Sequence, residues 1–278
     1  MAGTEKTSIK VAILDLYAGH PNQGMRCFQD ILDKYRKENQ LDLSYQVFDV
    51  RGNNQVPGTD FDIYISSGGP GSPLESEGSE WENSYFNLID QIEKHNHSDH
   101  PQKKHVLFVC HSFQLMCRHY GLGTVNKRHS PSFGILPVHQ TAEGYNDPVF
   151  AGMPEPFYAV DSRSWQVVQP NNERFAKLGA TLLAIEKERP NVEYERCMMA
   201  IRFSEYFIGT QFHPEADPNG MRLRLVEPER MQETIEEHGE QKYYEMLERL
   251  DDPDKITLTQ NTMIPNFLNQ AILTFQEI

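Results

Sequence analysis

The first half of the chain alternates short apolar runs with segments whose apolar residues recur at helical spacing. The helical spacing is found in residues 25–35 and 81–94. Because strands that alternate with helices form parallel sheets with right-handed crossovers, we expect an α/β sheet flanked by helices. Ligands of such sheets bind outside the carboxyl ends of the strands. The apolar runs predict buried strands at residues 9–16, 43–50, 61–65 and 106–109.

The second half of the chain has a different pattern. We interpret it as a β-rich, partly antiparallel half that returns a strand to the main sheet, with strands at residues 132–140, 157–168, 181–188 and 198–210. The residues that follow are mostly helical and charged, with helices predicted at 228–250 and 264–275, the second beginning within 261–268. We therefore expect residues 1–216 to form one domain and residues 217–278 to be a helical C-terminal extension packed on it.

The chain is acidic, with a formal net charge of −14. A surface of that charge repels phosphate backbones and anionic lipids, so we expect neither nucleic acid nor a membrane as a partner. The sequence has no run of about 18 apolar residues, which argues against a transmembrane helix. The first residues lead into a strand instead of the apolar segment of a signal peptide, so we expect a cytoplasmic protein.

The cysteines and histidines give little indication of a metal site. The four cysteines, Cys27, Cys110, Cys117 and Cys197, form no Cys-x-x-Cys pair, which argues against a zinc ribbon, a redox dithiol or a disulfide framework. Residues 95–100 contain three histidines, but this polar segment is more typical of a solvated loop than of a metal site. We expect no metal and no cofactor.

Cys110 lies at a position that suits a nucleophile. It directly follows the apolar run 106–109 and precedes a helical pattern over residues 112–120. A helix N-terminus favours thiolate over thiol, and its free backbone N–H groups can receive an oxyanion. The alternative is that Cys110 is a small buried apolar residue like Cys117.

His213 and Glu215 favour the nucleophile hypothesis. Pro214 between them cannot donate to a sheet ladder, so the segment is expected at a strand end. Residues two apart in an extended chain point to the same side, so Glu215 can hold the imidazole of His213. Cys110, His213 and Glu215 then form a nucleophile, a base and a carboxylate that orients the base.

The glycine-rich loop at residues 68–71 follows the third predicted strand and shares one sheet edge with Cys110. Its amides can face a developing oxyanion together with the N–H of His111. The alternative is an ordinary turn.

Three blocks resemble the class I glutamine amidotransferase family: residues 67–72, 109–114 and 211–215. Residues 134–154 are also similar to that family, and the resemblance extends over residues 9–216. It implies a flavodoxin-like fold, with residues 1–216 as the amidotransferase-like domain. It also implies that Cys110 attacks the side-chain amide of glutamine, that His213 shuttles protons and that Glu215 orients His213.

The resemblance further implies a substrate pocket and a set of products. The amides of Gly69 and His111 would form the oxyanion hole, and Gly71 and Gln114 would line the glutamine pocket. Ammonia leaves, and water then releases glutamate from the Cys110 thioester.

The chain departs from the family pattern Gly-x-Cys-x-Gly-x-Gln at two positions. Phe108 and Ser112 stand where that family has glycines. A further departure lies outside this pattern: the family has an acidic residue before the glycine near position 134, where this chain has Ser132 and Phe133. These departures resemble the homoserine acyltransferases, which share the fold and use a coenzyme A thioester as the acyl donor. Asp217 and the pair Ser162-Arg163 also match that family.

Three functional hypotheses follow. The first is a thiol enzyme that hydrolyses glutamine or a γ-glutamyl amide, acting alone, as a homodimer or with a separate synthase subunit. The second is acyl transfer from an acyl-coenzyme A to an amino acid. The third is a non-catalytic relative that binds a protein partner through residues 217–278. Residues 68–71 favour the first hypothesis, and residues 261–271 favour the second.

Overall fold

A computed structural model describes residues 8–188 and 195–276. The predicted domain 1–216 and the predicted extension 217–278 therefore each include some residues outside the described part of the chain. Within that part, nine strands form one sheet: β1 Ile9–Asp15, β2 Leu43–Asp49, β3 Ile63–Ser66, β4 His105–Val109, β5 Thr124–Gln140, β6 Phe157–Val168, β7 Thr181–Glu186, β8 Met198–Arg202 and β9 Phe207–Thr210.

The same residues contain ten α-helices, together with a 3₁₀ turn at Pro148–Phe150 and an irregular helical turn at Pro253–Thr257. The helices are α1 Gly24–Glu38, α2 Val50–Asn53, α3 Glu80–Asn96, α4 His111–Tyr120, α5 Ala142–Asn146, α6 Asn172–Leu178, α7 Pro218–Leu225, α8 Pro228–His238, α9 Glu240–Leu250 and α10 Leu258–Gln276.

The sheet has a parallel part and an antiparallel part. The strand order is β2-β1-β3-β4-β9-β8-β7-β5-β6. The pairs from β2 to β9 are parallel, and the pairs from β9 to β6 are antiparallel. This arrangement confirms the predicted flavodoxin-like α/β fold with a β-rich second half.

Helices cover both faces of the parallel part, which explains its continuous apolar strands. In β1, Val11 and Ile13 lie in a core shared with α1 and α10. Ala12 and Leu14 point to the other face and lie in a core shared with α3 and α4. Since successive strand residues face opposite sides, each buried strand must be apolar at every position.

Three element predictions need correction. Residues 198–210 were predicted as one strand but form the hairpin β8–β9, closed by a bond from the Phe203 N–H to the Phe207 carbonyl at 2.9 Å. Residues 228–250 form two helices, because Gly239 has φ +86° and ψ 155°, outside the helical region. The last helix begins at Leu258, before the predicted residues 261–268, and the Thr259 hydroxyl donates to the Tyr158 carbonyl at 2.6 Å.

The histidine-rich segment at residues 95–100 begins inside α3. His95 Nε2 and His100 Nδ1 lie 2.9 and 3.1 Å from the Gln102 carbonyl oxygen. Among the described residues, no group of three or more His, Cys, Asp or Glu side chains is arranged to hold a metal ion. Over the same ranges, no helix has the length and apolar character needed to cross a bilayer.

The residues after β9 pack on the sheet through two hydrophobic clusters. The apolar side of α10 lies in the same core as β1, with Met263, Ile264, Phe267, Leu268, Ala271, Ile272 and Phe275 buried there. Helices α7 and α9 instead pack on β5 and β6 around a third cluster, formed by Phe133, Ile135, Val160, Met221, Leu225, Tyr243, Met246, Leu250 and Ile256. The start of α10 also reaches the chain just after β9, where Gln260 Nε2 donates to the Glu215 carbonyl at 3.1 Å.

Candidate active site

Cys110 occupies a strained turn between β4 and α4. Its backbone has φ +51° and ψ −97°, a conformation that residues with a side chain rarely adopt. Two hydrogen bonds hold this turn: the Cys110 N–H donates to the Thr210 carbonyl at 2.7 Å, and the Gln114 N–H donates to the Cys110 carbonyl at 3.0 Å. Backbone strain of this kind is concentrated at functional sites.

Ser112 supports the turn where the family pattern has glycine. The Val109 N–H donates to the Ser112 hydroxyl at 2.8 Å. The same hydroxyl donates to the Ser66 carbonyl at 2.9 Å. Ser112 therefore ties the end of β4 to the end of β3 with its side chain.

Phe108 fits because its neighbour in β9 is a glycine. Phe108 pairs with Gly209 across the two parallel strands. A Cβ on Gly209 would lie 2.8 Å from Phe203 and 2.9 Å from Phe113, which already fill that space. The bulky residue before the turn is thus accommodated by Gly209.

His213 and Glu215 form a hydrogen-bonded pair after β9. The His213 N–H donates to the Val160 carbonyl at 2.8 Å, which fixes the backbone beside β6. His213 Nδ1 lies 2.8 Å from Glu215 Oε1, and the Glu215 side chain is 1% exposed. Burial alone would lower the pKa of His213, but the Glu215 carboxylate and the Cys110 sulfur together hold that pKa well above its usual value.

Gly68 lies between the thiol and the imidazole. A Cβ on Gly68 would be 2.9 Å from His213 Cε1 and 3.6 Å from Cys110 Cβ. The Cys110 sulfur is close enough to His213 to contribute to the raised pKa of that imidazole. The structure thus brings Cys110, His213 and Glu215 into one cluster at the carboxyl end of the parallel strands.

Gly69 and Gly71 lie in a loop that passes close to the same cluster. Gly69 packs so tightly on β1 that a Cβ would lie 2.5 Å from the Leu16 carbonyl oxygen. Arg51 Nη1 donates to the Pro70 carbonyl at 2.6 Å and holds the loop in place. Gly71 has φ +81°, which favours glycine.

The amide of His111 is the first in α4 and precedes the first intrahelical donor, Gln114. The His111 side chain points into the protein and is 1% exposed. Burial, with further contributions from Arg51 and Arg118, lowers the pKa of this imidazole to about 3. Its side chain is therefore neutral, and only its backbone faces the turn.

Gln114 does not reach the thiol directly. Its Nε2 donates to Gln211 Oε1 at 3.1 Å and to the Trp165 carbonyl at 3.2 Å. Gln211 Nε2 in turn lies 3.8 Å from the Cys110 sulfur. Gln211 is fully buried. It was not predicted from the sequence, because its contact with the thiol depends on how the protein packs its side-chain amide.

Tyr17 was not predicted either. It follows β1, and its hydroxyl would lie 3.2 Å from a Cβ on Gly68 and 2.9 Å from one on Gly24. Burial and then the nearby Glu215 carboxylate raise the pKa of Tyr17 well above its usual value. Its place at the carboxyl end of a parallel strand is the signal that could have identified it.

The family profile described as Glutamine amidotransferase class-I matches residues 28–231, which include this cluster. The chain belongs to that family. No match was found among curated proteins.

Three solved structures share the fold of this chain, and two of them are glutamine amidotransferases. A glutamine amidotransferase from Thermotoga maritima is 16% identical, with a TM-score of 0.64 and coverage of 96% of this chain and 99% of that one. One from Methylobacillus flagellatus is 14% identical, with a TM-score of 0.65 and coverage of 96% and 94%. A putative GMP synthase subunit from Thermoplasma acidophilum is 19% identical, with a TM-score of 0.50 and coverage of 76% and 87%.

In this member of the amidotransferase family, two cavities meet beside the cluster of Cys110, His213 and Glu215. The first, about 490 Å³, is lined by Tyr17, His213 and Glu215 and by residues of α7. The second, about 650 Å³, is lined by residues 70–72, by the β5–β6 ribbon and by α8. They share three lining residues, Pro70, Phe133 and Ser162.

Proposed function

We propose that this protein is a thiol-dependent amide hydrolase that acts on glutamine or a γ-glutamyl amide through a Cys110 thioester. The observation that carries the proposal is the strained Cys110 turn beside an imidazole that Glu215 holds at 2.8 Å. A thiol, a base and an orienting carboxylate in contact are the requirements of nucleophilic catalysis.

In the proposed reaction, His213 takes the thiol proton as the Cys110 sulfur attacks the amide carbonyl carbon. The carbonyl oxygen becomes negative and accepts hydrogen bonds from the amides of Gly69 and His111. The C–N bond then breaks, and the departing nitrogen takes the proton from His213. Water attacks the thioester with His213 as the base, which releases glutamate and restores the thiol. Glu215 stabilises the imidazolium in both halves.

We assign the glutamines and Gly71 supporting roles. Gln114 and Gln211 form a buried amide pair that contacts the Cys110 sulfur through Gln211 Nε2. Gly71 lines the larger cavity and leaves room for the substrate. This assignment moves Gln114 from the pocket wall to a position behind the thiol.

The ammonia that the reaction releases could be used by a partner protein. The similarity to a putative GMP synthase subunit supports a variant of the proposal in which ammonia passes to a separate synthase chain. Hydrolysis by the protein alone or as a homodimer needs no such partner.

Arg163 and Asp217, which match the homoserine acyltransferases in sequence, form hydrogen bonds and ion pairs within the protein. Arg163 donates to Asp161 at 2.7 Å and to the Cys197 sulfur at 3.0 Å, and its side chain is 1% exposed. Asp217 forms an ion pair with Arg26 at 2.8 Å and caps α7. These contacts give Arg163 and Asp217 structural roles, so we favour amide hydrolysis.

The test is glutamate release from glutamine and from a γ-glutamyl amide by the wild-type protein and by two alanine variants. We expect Cys110→Ala to lose turnover while keeping the unfolding midpoint of the wild type. Cys117→Ala, which removes a buried thiol from α4, the helix that follows Cys110, should keep its turnover. Wild-type turnover by Cys110→Ala would end the proposal.

A further inference from the structure

The smaller cavity lies on the leaving-group side of the proposed reaction. The acid that protonates the departing nitrogen must be within hydrogen-bond reach of it, so the leaving group must lie beside His213. His213 and Tyr17 line the cavity of about 490 Å³. Whatever is attached to the departing nitrogen therefore occupies this space.

Ammonia does not need a cavity of this size. A water molecule, which is similar in size to ammonia, takes about 30 Å³ of liquid volume. Sites for organic ligands typically measure about 300–1,000 Å³. The volume of about 490 Å³ lies in the second range.

The cavity wall is suited to a carbon chain. Phe133, Val160, Met221 and Leu223 give it an apolar side. The charged groups of the same wall are paired within the protein: Glu215 with His213, Asp217 with Arg26, and Glu227 with Arg224. An apolar wall next to a general acid favours an amine that carries an alkyl or aryl group.

The larger cavity is suited to the other half of such a substrate. Lys127 and Arg230 supply positive charge there, and Glu75 and Glu233 supply negative charge. Groups of both signs match the carboxylate and ammonium of an α-amino acid. Arg230 Nη1 lies 3.0 Å from Glu233 Oε2, so these two residues form an ion pair on this wall.

We propose that the substrate is a γ-glutamyl amide of a substituted amine, with the glutamyl head in the larger cavity and the amine's carbon chain against α7 in the smaller one. This inference rests on the proposed function. The Cys110 sulfur bonds to the γ-carbonyl carbon as the bond to the substituted nitrogen breaks. That nitrogen takes the proton which His213 received from the thiol, so a primary amine leaves. Water then converts the thioester to glutamate and the free thiol.

The experiment compares kcat/KM for glutamine and for γ-glutamyl-n-butylamide, measured as glutamate release by the full-length protein. Burial of one methylene group is worth roughly fourfold in kcat/KM, so we expect the butylamide to exceed glutamine at least tenfold. Equal kcat/KM values, or a preference for glutamine, would overturn the inference and leave the proposed function standing. If neither compound yields glutamate, the proposed function itself fails.

Two leucine variants test whether the carbon chain of the amine lies in the smaller cavity. Leu223 on α7 and Leu273 on α10 are both 57% exposed, and of the two only Leu223 lines the smaller cavity. Leu223→Trp should lower the ratio of butylamide to glutamine kcat/KM about tenfold, because the larger side chain takes the space of the carbon chain. Leu273→Trp should leave that ratio unchanged. An unchanged ratio in Leu223→Trp would contradict the placement of the amine.

Discussion

At the scale of single residues, the pair of His213 and Glu215 determines the chemistry available to Cys110. Glu215→Gln keeps the size of the side chain but removes the charge that favours the imidazolium. We expect kcat to fall on the order of 10²- to 10⁴-fold while KM changes little, since orientation and charge of the imidazole act on the reacting state. Steady-state glutamate release measures both constants.

The matched control is Asp147→Asn. Asp147 is a buried carboxylate like Glu215, but its partner is Arg202, with Nε at 2.6 Å, and it lies outside the cluster. The control should retain kcat. A kcat for Glu215→Gln equal to that of the control would remove Glu215 from the mechanism.

His111 makes an acid-dependent contribution to stability. Its folded pKa of about 3 is far below the ordinary 6.5, so below pH 6.5 the unfolded chain binds a proton that the folded chain does not. The free energy of unfolding is therefore unaffected by this group above pH 6.5. It falls as the pH drops from 6.5 towards 3, by at most about 1.4 kcal/mol per pH unit.

Denaturant unfolding between pH 4 and 7 tests this contribution. We expect His111→Phe, which keeps the backbone amide and does not titrate, to lose less stability than the wild type over that interval. His105, whose pKa burial lowers to about 4, adds a similar slope to both proteins. Identical pH slopes for the two proteins would contradict the assignment to His111.

The main site residues could be predicted from the sequence because they depend on strand ends. Cys110 and residues 68–71 follow parallel strands, and the carboxyl ends of such strands meet at one edge. Gln211 and Tyr17 were not predicted, because the direction of a loop or strand-end side chain depends on the packing around it. Gln211 contacts the thiol only because Gln114 holds its amide oxygen.

At the scale of elements, the fit between β4 and β9 sustains the Cys110 turn. Gly209→Ala would place a methyl group 2.8 Å from Phe203 and 2.9 Å from Phe113. We expect it to lower the free energy of unfolding by about 1–3 kcal/mol, the usual cost of overpacking. Phe203→Leu removes the ring atom that makes the closest contact.

A double-mutant cycle with Gly209→Ala and Phe203→Leu checks this packing by chemical denaturation. The double variant should be less destabilised than the sum of the two single changes. Simple additivity would show that the two positions do not compete for the same space.

The elements that were mispredicted have identifiable causes. The turn between β8 and β9 contains Phe203 and Tyr206, whose aromatic side chains continue the strand pattern, so the pattern shows no break there. In the following helices, the charged residues on both sides of Gly239 have the same helical pattern, and a single glycine is tolerated within many helices. Its φ of +86° shows that here it separates α8 from α9.

At the scale of the whole molecule, α10 and the sheet share one hydrophobic core. Seven apolar residues of α10 are buried in the cluster that also contains the inner side of β1. We propose that residues 217–278 belong to the same folding unit as residues 1–216, and we expect a single cooperative unfolding transition. Trp81 and Trp165 fluorescence reports on α3 and β6, and far-ultraviolet circular dichroism reports on all helices.

The two signals should give the same denaturant midpoint, because loss of α10 would expose the core of the sheet. Two separate midpoints, with helical signal lost before the tryptophan signal, would show that the C-terminal helices unfold on their own.

The central claim is that the Cys110 sulfur forms a covalent bond to the substrate, and trapping of that bond tests it most directly. The protein is mixed with a γ-glutamyl amide, quenched in acid within the first turnover and mapped by mass spectrometry. We predict one γ-glutamyl group on the peptide that contains Cys110, removable by hydroxylamine and absent from Cys110→Ala. A γ-glutamyl group on any other residue, or glutamate release without any acylated intermediate in the wild type and in Cys110→Ala alike, would contradict the account.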